Sequence, residues 1–300
     1  MKYLVTGSAG FIGAQLAKEL VNRGHDVFGV DNFVTGYRER IFAGYTFIEG
    51  DLRDERMYEQ LPKNLDGIFH LAAVPRVPRS IEEPKLTHDY NTNSVINLFE
   101  FARQTNIKKI VSASSSTVYG NQERMPLYEE MILQPISPYG AQKALLEHYS
   151  RTYPFLFDMQ TVCLRLFSVY GPGMNLDEQH ALAIPAFIKA RKENKPLTIF
   201  GDGTYTRDCT HVSDVVNAFI LSMENKNLKK FEVFNVGAGK NVSINYLAQL
   251  IGGEVQYKEG RKEVKDTHAD NSKARSVLGW EPKVTIEEGI ADLKKLYEIS

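Results

Sequence analysis

Gly7-Ser8-Ala9-Gly10-Phe11-Ile12-Gly13 is the stretch on which the reading of this chain turns. It follows a short apolar run, Tyr3–Thr6, and opens an amphipathic stretch, Phe11–Asn22. Glycines spaced three and three between a strand and a helix each have a physical use. The first permits a tight turn, the second lets backbone N–H groups approach a pyrophosphate, and the third lets helix and strand pack closely. The helix N-terminus adds a dipole that favours an anion at the same spot. Gly7, Gly10, Phe11, Ile12 and Gly13 are therefore candidate dinucleotide-binding residues.

Outward from this loop, apolar runs at Asp26–Val30, Gly67–Leu71, Lys109–Ala113 and Thr161–Leu166 alternate with helical patterns such as Asn91–Gln104. A βαβα rhythm of this kind predicts a parallel sheet covered by helices on both faces. Near Gly171 the rhythm changes. Helical stretches at Ile184–Lys192, Ser213–Glu224 and Ile244–Ile251 alternate with short strands at Thr198–Phe200 and Phe231–Asn235. The expected fold is α/β: a Rossmann-type doubly wound parallel sheet, residues 1–170, with a smaller C-terminal α/β substrate lobe, residues 171–300. The chain is expected to cross between the two, and the ligand cleft to be shared.

Asp31 ends the second run, beside Asn32. A carboxylate there can accept both ribose hydroxyls of an adenosine and repels a 2′-phosphate, which favours NAD over NADP. Asp51 and Leu52, after a third short strand, sit where an adenine could be gripped.

Ser137-Pro138-Tyr139-Gly140-Ala141-Gln142-Lys143 carries the chemistry. Pro138 suits a helix start, which stacks Tyr139 and Lys143 on one face at i and i+4. An ammonium there is expected to lower the tyrosine pKa toward neutrality, making Tyr139 a general base for a sugar hydroxyl. The hydroxyl run Ser112–Thr117 follows a buried-looking strand and reads as cleft lining, one hydroxyl sharing the substrate oxygen with Tyr139.

Composition sets the limits. In 300 residues, 36 Lys and Arg stand against 37 Asp and Glu, a net charge of −1, which rules out a strongly basic nucleic-acid binder. Two cysteines, Cys163 and Cys209, make no disulfide framework, and no Cys/His spacing suggests a metal. No leader and no apolar run near the ~20 residues needed to span a bilayer is legible, so a cytoplasmic protein is expected. His70 and His211 read as structural, Cys163 as inert core, and Trp280 as packing in the C-terminal lobe.

Taken together, these residues resemble the extended short-chain dehydrogenase/reductase family, in its nucleotide-sugar epimerase branch. The resemblance runs from Gly7–Gly13 through Ser115, Tyr139 and Lys143 to Arg165-Leu166-Phe167-Ser168-Val169-Tyr170-Gly171-Pro172. It continues through Phe200-Gly201-Asp202-Gly203, Thr206-Arg207-Asp208, Asn235-Val236-Gly237, Ala269-Asp270 and Leu278-Gly279-Trp280-Glu281-Pro282. It implies Ser115, Tyr139 and Lys143 as the catalytic residues, with Leu71, Ala72, Ala73 and Asn91 beside NAD. It implies Ser168, Phe200, Arg207, Arg261 and Thr267 toward a UDP-sugar, with Phe200 beside the uracil and Arg207 on the diphosphate. It also implies a homodimer built through Asn91–Gln104 and Tyr139–Tyr153.

Dehydratases resembling this pattern carry Asp-Glu after the catalytic hydroxyl, and decarboxylases a Glu two residues after it. Ser116 and Thr117 stand there in this chain, which leaves 4-epimerisation by transient oxidation at C4. Thr267 matches the family's gatekeeper near the sugar's 2-position. Its small volume, with the stretch Val77–Ile81, implies that UDP-GlcNAc and UDP-GalNAc are accepted, alongside or in place of UDP-glucose and UDP-galactose. Ser168 replaces the usual Asn, and Pro75 a lysine found in some members. The rival readings are a UDP-glucuronate 4-epimerase, an NAD-dependent 4-keto reductase, and a non-enzymatic dinucleotide- or RNA-binding member.

Overall fold

The computed structural model describes residues 1–177, 181–260 and 264–299. Contacts gather the chain into two compact units made of interleaved segments. The first comprises Met1–Gly120, Ile132–Arg165 and Val216–Phe234, and the second Asn121–Met131, Leu166–Val215 and Asn235–Ser300.

The first unit is organised by one seven-stranded sheet. Its strands are β1 (Lys2–Thr6), β2 (Asp26–Asp31), β3 (Thr46–Glu49), β4 (Gly67–His70), β5 (Lys109–Ser115), β6 (Gln160–Leu166) and β7 (Phe231–Val236). The spatial order is β7-β6-β5-β4-β1-β2-β3. β1 pairs in parallel with both β2 and β4, Thr6 lying opposite Val30 and His70. The chain therefore winds outward in both directions from β1, and the switch point lies at the end of β1. This is the Rossmann-type sheet expected from the alternating pattern. Its strands read as continuous apolar runs because both faces are covered: Leu4, Val5, Ile68, Phe69, Ile110 and Val111 are fully buried.

Helix α1 (Phe11–Asn22) buries Gly13, Leu16, Ala17 and Leu20, one stripe at helical spacing. Helix α2 (Ser94–Gln104) presents Val95, Leu98, Phe99 and Ala102 to the core that Leu4, Ile68 and Ile110 supply from the sheet. Helix α3 (Pro138–Leu156) adds Leu146 and Tyr153 to that core. Ser137 caps α3, its Oγ accepting the Gly140 N–H at 3.1 Å, and Pro138 fills the first helical position.

Two boundaries differ from the sequence reading. Helical structure begins before Asn91, with a π-helical turn at Asp89–Asn93 leading into α2. β5 runs on through Ser115, so part of the hydroxyl run lies inside a buried strand and does not follow it. Those hydroxyls are tolerated where they find partners: Ser114 Oγ donates to Glu147 Oε1 at 2.5 Å.

Among the described residues the second unit has three two-stranded pairings: Leu197–Phe200 with Val255–Lys258, Thr206–Asp208 with Asn241–Ser243, and Val169–Tyr170 with Thr210–His211. Helices Ala183–Lys192, Ile244–Ile251 and Ile286–Leu296 accompany them. The last was absent from the sequence reading, although Thr285 and Glu288 form a complete capping box at its start. Trp280 is fully buried and donates its indole N–H to the Asp214 carbonyl at 2.8 Å. Among the described residues no helix is long and apolar enough to cross a membrane.

Candidate active site

Three segments of the first unit meet at the switch point. Gly7 has φ +71° and its N–H donates to the Val30 carbonyl. A Cβ at Gly7 would lie 2.7 Å from the Ala72 nitrogen, so the loops after β1 and β4 touch backbone to backbone. Leu71 and Ala72 donate their N–H groups to Thr6 Oγ1, both at 3.2 Å. A Cβ at Gly13 would lie 2.0 Å from the Gly7 carbonyl oxygen, which is how closely α1 packs on the loop. Gly13→Ala is therefore expected to cost about 1–3 kcal/mol through overpacking. A lower Tm and loss of retained NAD on purification would show it.

Gly10 caps α1 with no side-chain hydrogen bond, and no acidic residue stands in the first turn. The N–H groups of that turn are thus left to an external anion, as a pyrophosphate site requires. A Cβ on Gly10 would meet only the Gly7 carbonyl, at 3.0 Å at closest, so the approach is open where a dinucleotide would lie. The residues present fit NAD.

Asp31 is buried at the end of β2, its oxygens accepting from the N–H groups of Ala9 (3.0 Å) and Phe33 (2.8 Å). Burial raises its pKa above the ordinary value, with these bonds and Arg40 opposing. Asp51 is half-buried and chelated by Arg53 (3.0 and 2.7 Å), with Asn32 Nδ2 at 3.1 Å. Burial works against its charge, but the bonds from Arg53 outweigh it and hold Asp51 below the usual carboxylate range. Leu52 is core: its carbonyl accepts from the Tyr58 hydroxyl at 3.0 Å and from Asn97 Nδ2 at 3.2 Å. Buried Asn91 accepts the Val74 N–H at 2.7 Å and donates to the Val74 carbonyl and to Gln142 Oε1. Its amide fixes the loop after β4 to α3.

Ser115, Tyr139 and Lys143 come together at the end of β5 and the start of α3. Ser115 Oγ accepts from the Thr117 N–H (3.2 Å) and from Thr117 Oγ1 (2.9 Å), which leaves its own proton to donate to an oxygen beside Tyr139. Thr117 thus orients Ser115, a role no motif announced. Buried Lys143 donates to the Ala113 carbonyl at 2.7 Å, with its ammonium 5.8 Å from the centre of the Tyr139 ring.

The expected effect of Lys143 on Tyr139 is not what the chain alone produces. Burial pushes Tyr139 up to about 12, and the groups that pull it back are Arg76 and the Ser115 hydrogen bond. Burial also pushes Lys143 down to about 8. Desolvation disfavours both charged forms, and here it exceeds the attraction expected from i,i+4 spacing.

Beneath this trio lies a buried ion pair that sequence reasoning passed over. Arg165 donates to both Glu147 oxygens (3.0 and 2.8 Å) and to the Tyr119 hydroxyl at 2.8 Å, with Arg165 and Glu147 side chains only 4% and 5% exposed. Glu147 and Arg165 lie on different elements, so no spacing rule pairs them.

In the second unit, Arg207 Nη1 donates to the carbonyls of Thr206 (2.8 Å) and Lys265 (2.9 Å). Thr267 Oγ1 accepts the Asp208 N–H at 3.2 Å. With its hydroxyl held on the backbone, Thr267 is distinguished by its small volume. Ser168 is half-buried beside the Thr210–His211 strand, and Phe200 ends its own strand opposite Lys258. Arg261 lies outside the described residues. Asp208, another residue the motifs did not explain, accepts the N–H groups of Ala238 (2.6 Å), Gly239 (3.0 Å) and Ala269 (3.0 Å), tying three segments together. Burial still pushes it up to about 6.

His70 is buried against Thr6 Oγ1 at 2.9 Å, and burial holds it neutral, at about 3. Cys163 is buried and pushed up to about 12. Cys209 is equally buried and pushed up to about 12. Among the described residues no group of three or more His, Cys, Asp or Glu could hold a metal ion.

Residues 3–237 match the model of the NAD dependent epimerase/dehydratase family. A UDP-glucuronate 4-epimerase of Thermodesulfobacterium geofontis is 35% identical, the alignment covering 96% of this chain and 93% of that protein. The crystal structure of the Thermotoga maritima UDP-glucose 4-epimerase with UDP-glucose superposes with a TM-score of 0.93 at 35% identity, over 99% of this chain and 98% of that one. The UDP-N-acetylglucosamine 4-epimerase of Methanobrevibacter ruminantium, solved with UDP-N-acetylmuramic acid, does so with 0.92 at 33% identity, over the same shares.

Proposed function

The chain belongs to the NAD dependent epimerase/dehydratase family, and on that premise we propose that it is a UDP-hexose 4-epimerase that accepts N-acetylated sugars. NAD is its cofactor. Its relatives act on UDP-glucose, UDP-glucuronate and UDP-N-acetylglucosamine, so the chemistry is common to them and the sugar has to be argued from this chain.

The observation that carries the reaction is the meeting of Ser115, oriented by Thr117, with Tyr139, and Lys143 on the tyrosine's helical face. Tyr139 takes the proton of the C4 hydroxyl. Ser115, oriented by Thr117, donates to that oxygen and stabilises its negative charge. Lys143, fixed on the Ala113 carbonyl, supplies a positive charge behind the tyrosine. NAD, when bound, supplies reversible hydride acceptance from C4. Gly7, Gly10, Phe11, Ile12 and Gly13 would hold its pyrophosphate, and Asp31 with Asn32 its adenosine ribose. Asp51 and Leu52 would line the adenine, and Leu71–Ala73 with Asn91 would form the wall over the cofactor. Neither Ser116 nor Thr117 offers the carboxyl acid that elimination needs.

The second unit would hold the nucleotide sugar through Ser168, Phe200, Arg207, Arg261 and Thr267. The N-acetyl reading rests on the volume of Thr267. On the family resemblance the protein works as a homodimer in the cytoplasm. A groove lined by Pro84, Lys85, His88, Pro138, Ala141, Gln142 and Leu145 reaches the face of α3 expected to pair.

The test is to incubate the purified protein, with no NAD added, with UDP-GlcNAc, UDP-glucose and UDP-glucuronate separately, and to resolve the 4-epimers. Conversion of UDP-GlcNAc is expected. Thr267→Tyr should cut that activity by on the order of 10–200-fold while sparing UDP-glucose, because only the N-acetyl group needs the vacated volume. Conversion of UDP-glucuronate alone would overturn the choice of sugar. Conversion of none, with or without NAD, would overturn the epimerase reading.

A further inference from the structure

Helix α3 is capped from two places. Ser137 accepts the Gly140 N–H on its Oγ at 3.1 Å and the Ala141 N–H on its carbonyl at 3.0 Å. Pro138 has no N–H to place. The Tyr139 N–H goes elsewhere: it donates to Ser80 Oγ at 3.0 Å, 59 residues back in the chain. Ser137 already supplies the local cap that a helix start needs. The bond to Ser80 adds something a local cap cannot, because it fixes where the helix starts relative to another segment.

Ser80 is fully buried in the short helix Val77–Glu82. Its Oγ donates to the Val77 carbonyl at 2.7 Å, so its proton is used there and a lone pair is left for the Tyr139 N–H. Its own N–H donates to the Arg76 carbonyl at 3.2 Å. The segment is held as firmly at its start. Val74 is bonded at both its N–H and its carbonyl by Asn91, which donates to Gln142 Oε1 at 2.7 Å. Gln142 Nε2 in turn donates to Thr87 Oγ1 at 3.1 Å. The stretch from Val74 to Thr87 is thus joined to α3 at Tyr139 and at Gln142, the residue before Lys143. Gly140 meets a third segment. A Cβ there would lie 2.7 Å from the Thr117 carbonyl oxygen, so the helix backbone bears directly on the turn that orients Ser115.

We propose that Ser80 is a positioning residue for the reaction: through the Tyr139 N–H it holds the first turn of α3, and with it the phenol, in place against Ser115. The inference rests on the reading of Tyr139 as the base. Proton removal demands that the reacting oxygens stay aligned, and a misplacement of about 1 Å can cost on the order of 10²-fold in rate. Ser80 lies within Val77–Ile81, the stretch that the resemblance connects with N-acetylated sugars. The structure gives its hydroxyl a task that does not depend on the sugar.

The test uses Ser80→Ala, which removes the hydroxyl, and Ser80→Thr, which keeps it. Ser80→Cys supplies a weaker acceptor and a graded variant should the alanine protein not fold. Thr285→Ala removes a capping bond of the same kind from the helix Ile286–Leu296 and serves as the stability control. Ser80→Ala should lower kcat by on the order of 10–100-fold, with KM and retained NAD close to wild type, because alignment is lost and binding contacts are not. The loss should be equal for every UDP-sugar the protein converts. Ser80→Thr should recover kcat, and Ser80→Cys should fall between the two. Thr285→Ala should lower Tm and leave kcat unchanged. A second readout needs no turnover. The 13Cζ-tyrosine resonance of Tyr139 in the NAD-loaded protein, assigned by its loss in Tyr139→Phe, should move in Ser80→Ala and return in Ser80→Thr. An unchanged kcat or an unmoved resonance in Ser80→Ala overturns the proposal. So does a fall in kcat that Thr285→Ala matches, or a threonine variant as impaired as the alanine one. A protein that turns over no UDP-sugar yet shows the resonance move and return would overturn the epimerase reading and leave the positioning of Tyr139 standing.

Discussion

Replacing Tyr139 by Phe is expected to abolish 4-epimerisation, with a loss on the order of 10²–10⁴-fold, while the protein stays folded and keeps its NAD. The substitution removes one oxygen. Its main-chain anchorage is untouched, because the Tyr139 N–H donates to Ser80 Oγ and Ser137 caps the helix. Near pH 7 the phenol is neutral in both the folded and the unfolded protein, so its raised pKa carries no stability there and loss of the hydroxyl should change stability little. Epimer formation, NAD content and Tm measured on the same preparation separate the effects. Full activity in Tyr139→Phe would remove the tyrosine from the base role. A low Tm would mean that the hydroxyl is structural.

Glu147→Ala should produce the largest loss of stability of any single change considered, about 3–5 kcal/mol, because it leaves the Arg165 guanidinium buried without its counter-charge. For a chain of this size that is a fall in Tm of roughly 10 °C or more. The damage would reach the active site as well. Glu147 accepts from Ser114, the neighbour of Ser115, and Arg165 donates to Tyr119, which follows the turn bearing Thr117. Activity per folded molecule should therefore fall too. Glu147→Gln keeps an acceptor for both partners and should lose less. Thermal unfolding of the two variants checks this: equal and small effects would show that the buried pair contributes little.

Much of the first unit was legible because its elements are locally encoded. Gly7, Gly10 and Gly13 declare a turn and a close approach, and the spacing of Gly13, Leu16, Ala17 and Leu20 is itself the buried stripe of α1. Pro138 after Ser137 marks the start of α3, and i,i+4 geometry places Tyr139 and Lys143 on one face whatever surrounds them. The strand ends were less legible. Ser112 to Ser115 look polar in one dimension, and only a buried acceptor such as Glu147 lets a serine stay inside the strand. The helix Ile286–Leu296 has its local signal in Thr285 and Glu288, which form the capping box at its start.

By itself, then, the sequence determined the alternating elements of the parallel sheet, the glycine turn after β1 and the placing of Tyr139 and Lys143 on one helical face, since each is written in neighbours within a few residues. The tertiary structure alone decided the electrostatics that those side chains experience. Burial, set by how α3 packs on the sheet, opposes the ionised forms of both Tyr139 and Lys143 and outweighs the attraction that their spacing promises. The groups that answer it, Arg76 and Ser115 for Tyr139 and Cys163 and Glu147 for Lys143, come from several elements of the chain. Desolvation and long-range charge depend on what surrounds a residue in space, which no local spacing records.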